Sequence, residues 1–179
     1  MKRILAVILV IILLAFTVSC GEGEINTSEL ITHTLNGVTF RLPRYMRLSA
    51  AEGYDAAFDN MSVFLSVKAI DEEQYESLGL KVEDGRDKYF DALMKRSGFD
   101  RSRVFYEKNE EKKLVSFRYS YDETPDDTSD SSLFYYVILA GDTDNLWYFE
   151  ICCMESDSDA NIDTFNMWRN NIEVTEKKK

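Results

Sequence analysis

One histidine, two adjacent cysteines and a concentrated set of carboxylates are the side chains here whose types and spacing bear on chemistry. His33 is the sole imidazole, and a general base or metal ligand of this kind needs partners to orient it. It shares the parity of Ile31 and Leu35 in an alternating run, so it is expected to be a packed strand residue. Cys152 and Cys153 lie next to each other in an apolar run. Neighbours on a strand point to opposite faces, which opposes disulfide geometry. Two small buried thiols are expected, with a redox pair as the alternative. Asp157, Asp159, Asn161 and Asp163 have the alternating spacing of a calcium loop. Ile162 and Trp168 occupy the positions that need the turn glycine and the bidentate glutamate, so these acids read as the first turn of a helix. Acids are numerous enough for carboxylate catalysis, but no pair stands out. There is also no nucleophile motif or phosphate-cradling glycine loop.

The carboxylates are unevenly placed. From Tyr119 through Trp168 there are twelve acids and no Lys or Arg, in a chain of net charge −11. Asp122, Glu123, Asp126, Asp127 and Asp130 fall in one loop, and Asp142 and Asp144 in one turn. Together they form a candidate acidic docking face for a basic protein partner or weakly held Ca²⁺. The plainer reading is a solvated surface that keeps the chain soluble. Nucleic acid is excluded as a partner by the sign of the charge, and no cofactor or resident metal is expected. Tyr119, Tyr121, Tyr135, Tyr136 and Tyr148 lie in apolar runs where strands favour aromatics. They read as core packing, with a sugar- or peptide-binding face as the alternative.

The elements that must hold these groups follow from periodicity. Alternation on either side of Asn36-Gly37 predicts a hairpin with both turn residues at positive φ. A second pair is predicted around Asp59-Asn60. Asp71 and Gln74 have capping-box spacing for a short helix closed by Gly79. A longer helix from about Asp84 carries Tyr89, Phe90, Leu93 and Met94 and ends at Gly98. Val115, Phe117, Tyr119 and Tyr121 alternate with Ser116, Arg118 and Ser120, which predicts a strand with one wetter face. Leu133 to Ala140 and Leu146 to Met154 read as strands covered on both faces. A last helix carries Ile162, Phe165, Trp168 and Ile172, with Ser156 and Asp159 at capping-box spacing. The fold class expected is α+β, an antiparallel β-sheet with helices packed on it.

The N-terminus carries an address. Lys2 and Arg3 precede an apolar run from Ile4 to Phe16, then Thr17-Val18-Ser19-Cys20. Charged start, apolar stretch and small residues describe a secretory signal peptide. At ~1.5 Å per residue the stretch is short for a ~30 Å hydrocarbon core, with an uncleaved membrane anchor as the alternative. Thr17-Val18-Ser19-Cys20 resembles the lipobox of bacterial lipoproteins, with Thr17 in place of the usual aliphatic residue. The resemblance implies lipidation at Cys20 and a membrane partner through that lipid.

The order of elements, with Val38-Thr39-Phe40-Arg41-Leu42-Pro43-Arg44-Tyr45 in the first hairpin, resembles the PsbP-like α/β/α sandwich. That resemblance implies an architecture and a bias towards binding over catalysis, and it carries over no functional residue. The organisation expected is a signal peptide over 1–19, a tether over 20–29, one α+β domain over 30–175 and a basic tail over 176–179. The function expected is a lipid-anchored, extracytoplasmic, non-catalytic binding module of the cell envelope. The alternatives are an envelope-acting hydrolase with carboxylate catalysis and a purely structural surface lipoprotein.

Overall fold

The computed structural model describes residues 29–98, 104–121 and 132–175. Alternating runs become β1 (Leu30–Leu35), β2 (Val38–Pro43), β3 (Arg47–Ser49), β4 (Ala56–Asp59) and β5 (Val63–Ile70). Two helices follow, α1 (Glu72–Ser77) and α2 (Gly85–Arg96). Then come β6 (Phe105–Asn109), β7 (Leu114–Tyr121), β8 (Leu133–Asp142) and β9 (Asn145–Met154). The chain closes with α3 (Ser158–Asn170) and β10 (Glu173–Val174). A seven-stranded sheet runs β3-β4-β5-β9-β8-β7-β6, and a three-stranded sheet runs β1-β2-β10. Adjacent strands in both are antiparallel.

The large sheet is buried on both faces, which is why β8 and β9 are apolar at nearly every position. One face packs Leu65, Tyr136, Ile138, Phe149 and Ile151 against Phe40 and Leu42 of the small sheet and Phe165 and Trp168 of α3. The other packs Val115, Phe117, Val137, Leu139 and Leu146 against Tyr75 of α1 and Tyr89, Phe90 and Met94 of α2. The expected α+β class, an antiparallel sheet carrying helices, is the one observed.

Local chemistry decides the details. The Asp71 capping box forms as read: the Gln74 amide donates to Asp71 Oδ1 at 3.1 Å, and the Asp71 amide donates to Gln74 Oε1 at 2.9 Å. The Asn36-Gly37 hairpin also forms, but Gly37 alone takes positive φ (101°). Its carbonyl accepts the Thr175 amide at 2.9 Å, so the turn is shaped by docking the end of the chain as well as by its own pair. The second turn is one residue later than expected. Asn60 Oδ1 accepts the Ser62 and Val63 amides at 3.1 and 2.7 Å, and Met61 sits at φ 76°.

Three expectations fail for reasons of context. The Ser156–Asp159 box is not made, because residues Glu155–Asp157 form a 3₁₀ turn that leads straight into α3 and leaves no extended N-cap. Ile172 lies beyond α3, buried, on the approach to β10. The second face of β7 is wet only towards its end: Arg118 is half-buried and Ser120 exposed, but Ser116 is buried, because α3 lays Arg169 across it.

Asp142 ties the central hairpin to a helix. Its Oδ1 accepts the Arg86 amide at 3.0 Å and the Thr143 amide at 2.9 Å, supplying an acceptor to the first turn of α2. Asp142→Ala is expected to lower stability by about 1–2 kcal/mol in urea unfolding, whereas Asp142→Asn, which keeps the acceptor, should lose less than half of that. Equal losses in the two variants would show that the charge and not the hydrogen bonds matters.

Candidate functional site

The helices cover only part of the outer face of the large sheet. Beyond the Phe117–Val137 pair that face carries Tyr119, Tyr135, Tyr148, Glu150 and Cys152, brought together by register and the period of two. Tyr119 faces Tyr135, Tyr135 faces Cys152, and Glu150 lies between Val137 and Ser66. All five are half-buried, so they are neither sealed in a core nor freely solvated.

The geometry suits stacking. The Tyr119 and Tyr135 rings lie 5.0 Å apart at an interplanar angle of 11°, and Phe117 continues the row at 6.1 Å and 17°. Tyr148 Oη donates to Glu150 Oε2 at 2.6 Å, a length typical of a charge-assisted bond. Burial first, and the Glu150 carboxylate second, push the Tyr119 and Tyr148 phenols above their ordinary range. They remain hydroxyl donors at neutral pH and do not become phenolate nucleophiles. Tyr54, exposed between β3 and β4, is within electrostatic reach of both. Ser66 is fully buried, and its Oγ has no hydrogen-bond partner. The arrangement offers flat rings, protonated hydroxyls and one carboxylate. Such groups suit stacking and hydrogen bonding.

The sequence readings meet this geometry in several ways. The tyrosines were readable as strand residues. Glu150 and Ser66 were not singled out, although Glu150 shares the parity of Tyr148 and Cys152, and that parity was the signal. Cys152 and Cys153 are not joined in a disulfide and lie on opposite faces. Cys153 is buried, and burial pushes its thiol up to about 11. Cys152 is only half-buried, contrary to the expectation of two buried thiols, because it lies beyond the cover of α1 and α2. His33 packs between Phe40 (5.5 Å) and Phe58 (4.6 Å), and burial lowers its pKa.

Of the acidic candidates, Asp122, Glu123, Asp126, Asp127 and Asp130 lie outside the described residues, as does Cys20. Asp142 and Asp144 sit at the β8–β9 turn. Tyr121 and Leu133, which flank the segment holding the other five, pair at the far end of the ten-residue β8. At ~3.4 Å per residue those two places are about 30 Å apart. The turn borders an open cleft of about 540 Å³ whose wall includes Lys112 and Lys113 beside Asp142, Asp144 and Glu173. Its charge is therefore mixed. Among the described residues no group of His, Cys, Asp or Glu is arranged to hold a metal. No helix among them is long and apolar enough to cross a membrane.

Antiparallel strands covered on one face by two helices and on the other by a small sheet and a third helix define an α+β sandwich. No family model matches the chain, and no curated protein matches it. Among solved structures the chain is similar to the solution structure of cyanobacterial PsbP (CyanoP) from Synechocystis sp. PCC 6803. The two share 12% identity and a TM-score of 0.46 over 85% of this chain and 96% of that one. A likeness of that size says nothing of what this chain binds.

Proposed function

We propose that the chain is a lipid-anchored, extracytoplasmic, non-catalytic binding module of the bacterial cell envelope, and that the tyrosine face is its binding surface. The observation that carries this reading is the Tyr119–Tyr135 stack beside the Tyr148–Glu150 bond, on a sheet face that the helices leave half-uncovered. Parallel rings with hydroxyl donors and one carboxylate suit a ligand that stacks and donates hydrogen bonds, such as a sugar ring or an extended peptide. The anchor rests on the signal pattern and Cys20. Two or more acyl chains there give stable attachment, whereas one would bind marginally.

Two measurements test the two halves. Labelled fatty acid is expected to enter the wild type and not Cys20→Ala; equal labelling refutes the anchor. Cross-linking in the native envelope is expected to capture neighbours that Tyr119→Ala/Tyr135→Ala loses at least tenfold, with folding checked by circular dichroism. An unchanged capture pattern in that double variant refutes the face.

A further inference from the structure

The tyrosine face has a gap in it. Across its uncovered half, the outer-face positions that lie level on β7, β8, β9 and β5 are Tyr119, Tyr135, Cys152 and Phe64. Cys152 is the small side chain in that row, so Tyr135 and the half-buried Phe64 flank it from strands two apart. Alternate strands are about 9–10 Å apart, and a flat group held between two rings needs about 7–8 Å. The next outer-face row holds Glu150 on β9 and Ser66 on β5. Glu150 therefore stands at the end of the slot nearer the helices, with the Tyr148 hydroxyl on its Oε2.

The charges here are unbalanced. Glu150 is half-buried, and among the described residues no cation lies within ion-pair distance of it. Lys68, opposite Tyr148, is the nearest cation by register and does not pair with it. Ser66, directly opposite Glu150, is 0% exposed, and its Oγ lacks a hydrogen bond, which costs free energy until a donor arrives. Beyond the slot the sheet ends among acids. Glu155 and Asp157 follow β9 there, and Asp59 lies opposite Phe64, with Arg47 opposite Asp59 at the same edge. A negative field of this kind draws a cation, and a partly desolvated carboxylate holds it better than an exposed one does. A guanidinium is flat, stacks on aromatic rings and forks onto a carboxylate with N–H donors to spare. A neutral sugar would leave the Glu150 charge uncompensated.

We propose that the slot takes an arginine side chain of an extended basic peptide, with the guanidinium between Tyr135 and Phe64 and its N–H groups on Glu150. The rings supply affinity and Glu150 supplies selectivity for charge. This rests on the tyrosine face as the binding surface and adds the class of ligand and the residue that selects it.

The test uses the full chain in detergent and two capped pentapeptides, one with a single central arginine and one with citrulline there, the same shape without charge. Binding is read by amide NMR titration. The arginine peptide is expected to bind roughly tenfold tighter, on the scale of one charge-assisted hydrogen bond. Glu150→Gln, which keeps an acceptor for Tyr148, should erase that preference. Phe64→Leu should weaken both peptides. Glu155→Gln removes a charge at the same end outside the slot and should change affinity by less than about twofold. Equal losses in Glu150→Gln and Glu155→Gln overturn the proposal in favour of a diffuse field. So does a neutral N-acetylglucosamine oligomer that wild type and Glu150→Gln bind alike, in favour of a sugar. Weaker binding in Lys68→Met also overturns it, since the ligand's charge would then be negative. If both peptides bind equally, or neither binds, while Tyr119→Ala/Tyr135→Ala still loses its envelope neighbours, the arginine is refuted and the face stands. Glu150-dependent arginine binding with those neighbours unchanged refutes the face as the envelope-binding surface alone.

Discussion

Gly141→Ala is expected to lower stability by about 4 kcal/mol, near the upper end for a single substitution. Gly141 is the penultimate residue of β8, at φ 92°, where a side chain costs about 1–3 kcal/mol in backbone strain alone. A Cβ there would stand 2.0 Å from the Asn145 carbonyl oxygen and 3.1 Å from Val174 Cγ1. The carbonyl cannot retreat. Asn145 is the first residue of β9, its side-chain Nδ2 donates to the Thr175 carbonyl, and its Oδ1 accepts from Trp147 Nε1 at 3.0 Å. Displacing it disturbs the central hairpin and the docking of the chain's end together. Gly53→Ala is the control, because Gly53 also has positive φ (82°) but nothing within 4 Å of the added carbon. Urea unfolding should therefore show about 1 kcal/mol for Gly53→Ala and a much larger loss for Gly141→Ala. Similar losses would mean that backbone strain is the whole effect and that the hairpin yields.

The second large effect belongs to Arg169. This buried guanidinium donates from Nη2 to Glu107 Oε1 at 3.0 Å and from Nη1 to Ser116 Oγ at 3.2 Å. Tyr136 Oη donates to Asn166 Oδ1 at 2.9 Å on the same side. Arg169→Met keeps the apolar stem and removes the fork. The expected loss is about 2 kcal/mol, below the usual range for a broken buried pair because Glu107 is half-exposed and can be rehydrated. The pair also sets a pH dependence. The Arg169 hydrogen bonds hold the Glu107 carboxyl below its usual value. A group whose folded pKa is depressed contributes stability above its unfolded pKa and loses it as pH falls through the folded one. Between about pH 5 and pH 3 the wild type should therefore lose stability faster than Glu107→Gln. Parallel curves for the two proteins would remove the pair from the account.

Much of the architecture could be read from residue spacing, because the relevant forces are local. Asp71 and Gln74 cap α1 whatever lies beyond them, and alternation alone places Leu65, Ile138 and Phe149 inward. Failures occur where a distant element intervenes. Ser116 looked like a wet-face residue because its neighbours in sequence do not reveal that Arg169, 53 positions on, covers it. Asn36 does not take the conformation its turn favours in isolation, because Gly37 also docks Thr175. The three residues of β3 and two of β10 are too short to show a period. The candidate face was half legible. Its tyrosines drew notice as a composition, but their union with Glu150 and Ser66 depends on how β5, β8 and β9 pair, and that pairing joins residues about 85 positions apart.

The strand at the centre of the large sheet is among the last to be made. β9 sits between β5 and β8 and ends at Met154 of 179 residues, with the helix that closes one core still to follow. Until it emerges, β5 has only the short β4 beside it, and Leu65 and Val67 have no Ile151 or Phe149 to meet. During synthesis the chain can hold local hairpins and nascent helices but not its sheet. That late completion leaves the polypeptide without a finished sheet until residue 154 has been made. The sheet closes only when β9 slots between β5 and β8, so its centre and not its edge is the last strand to arrive.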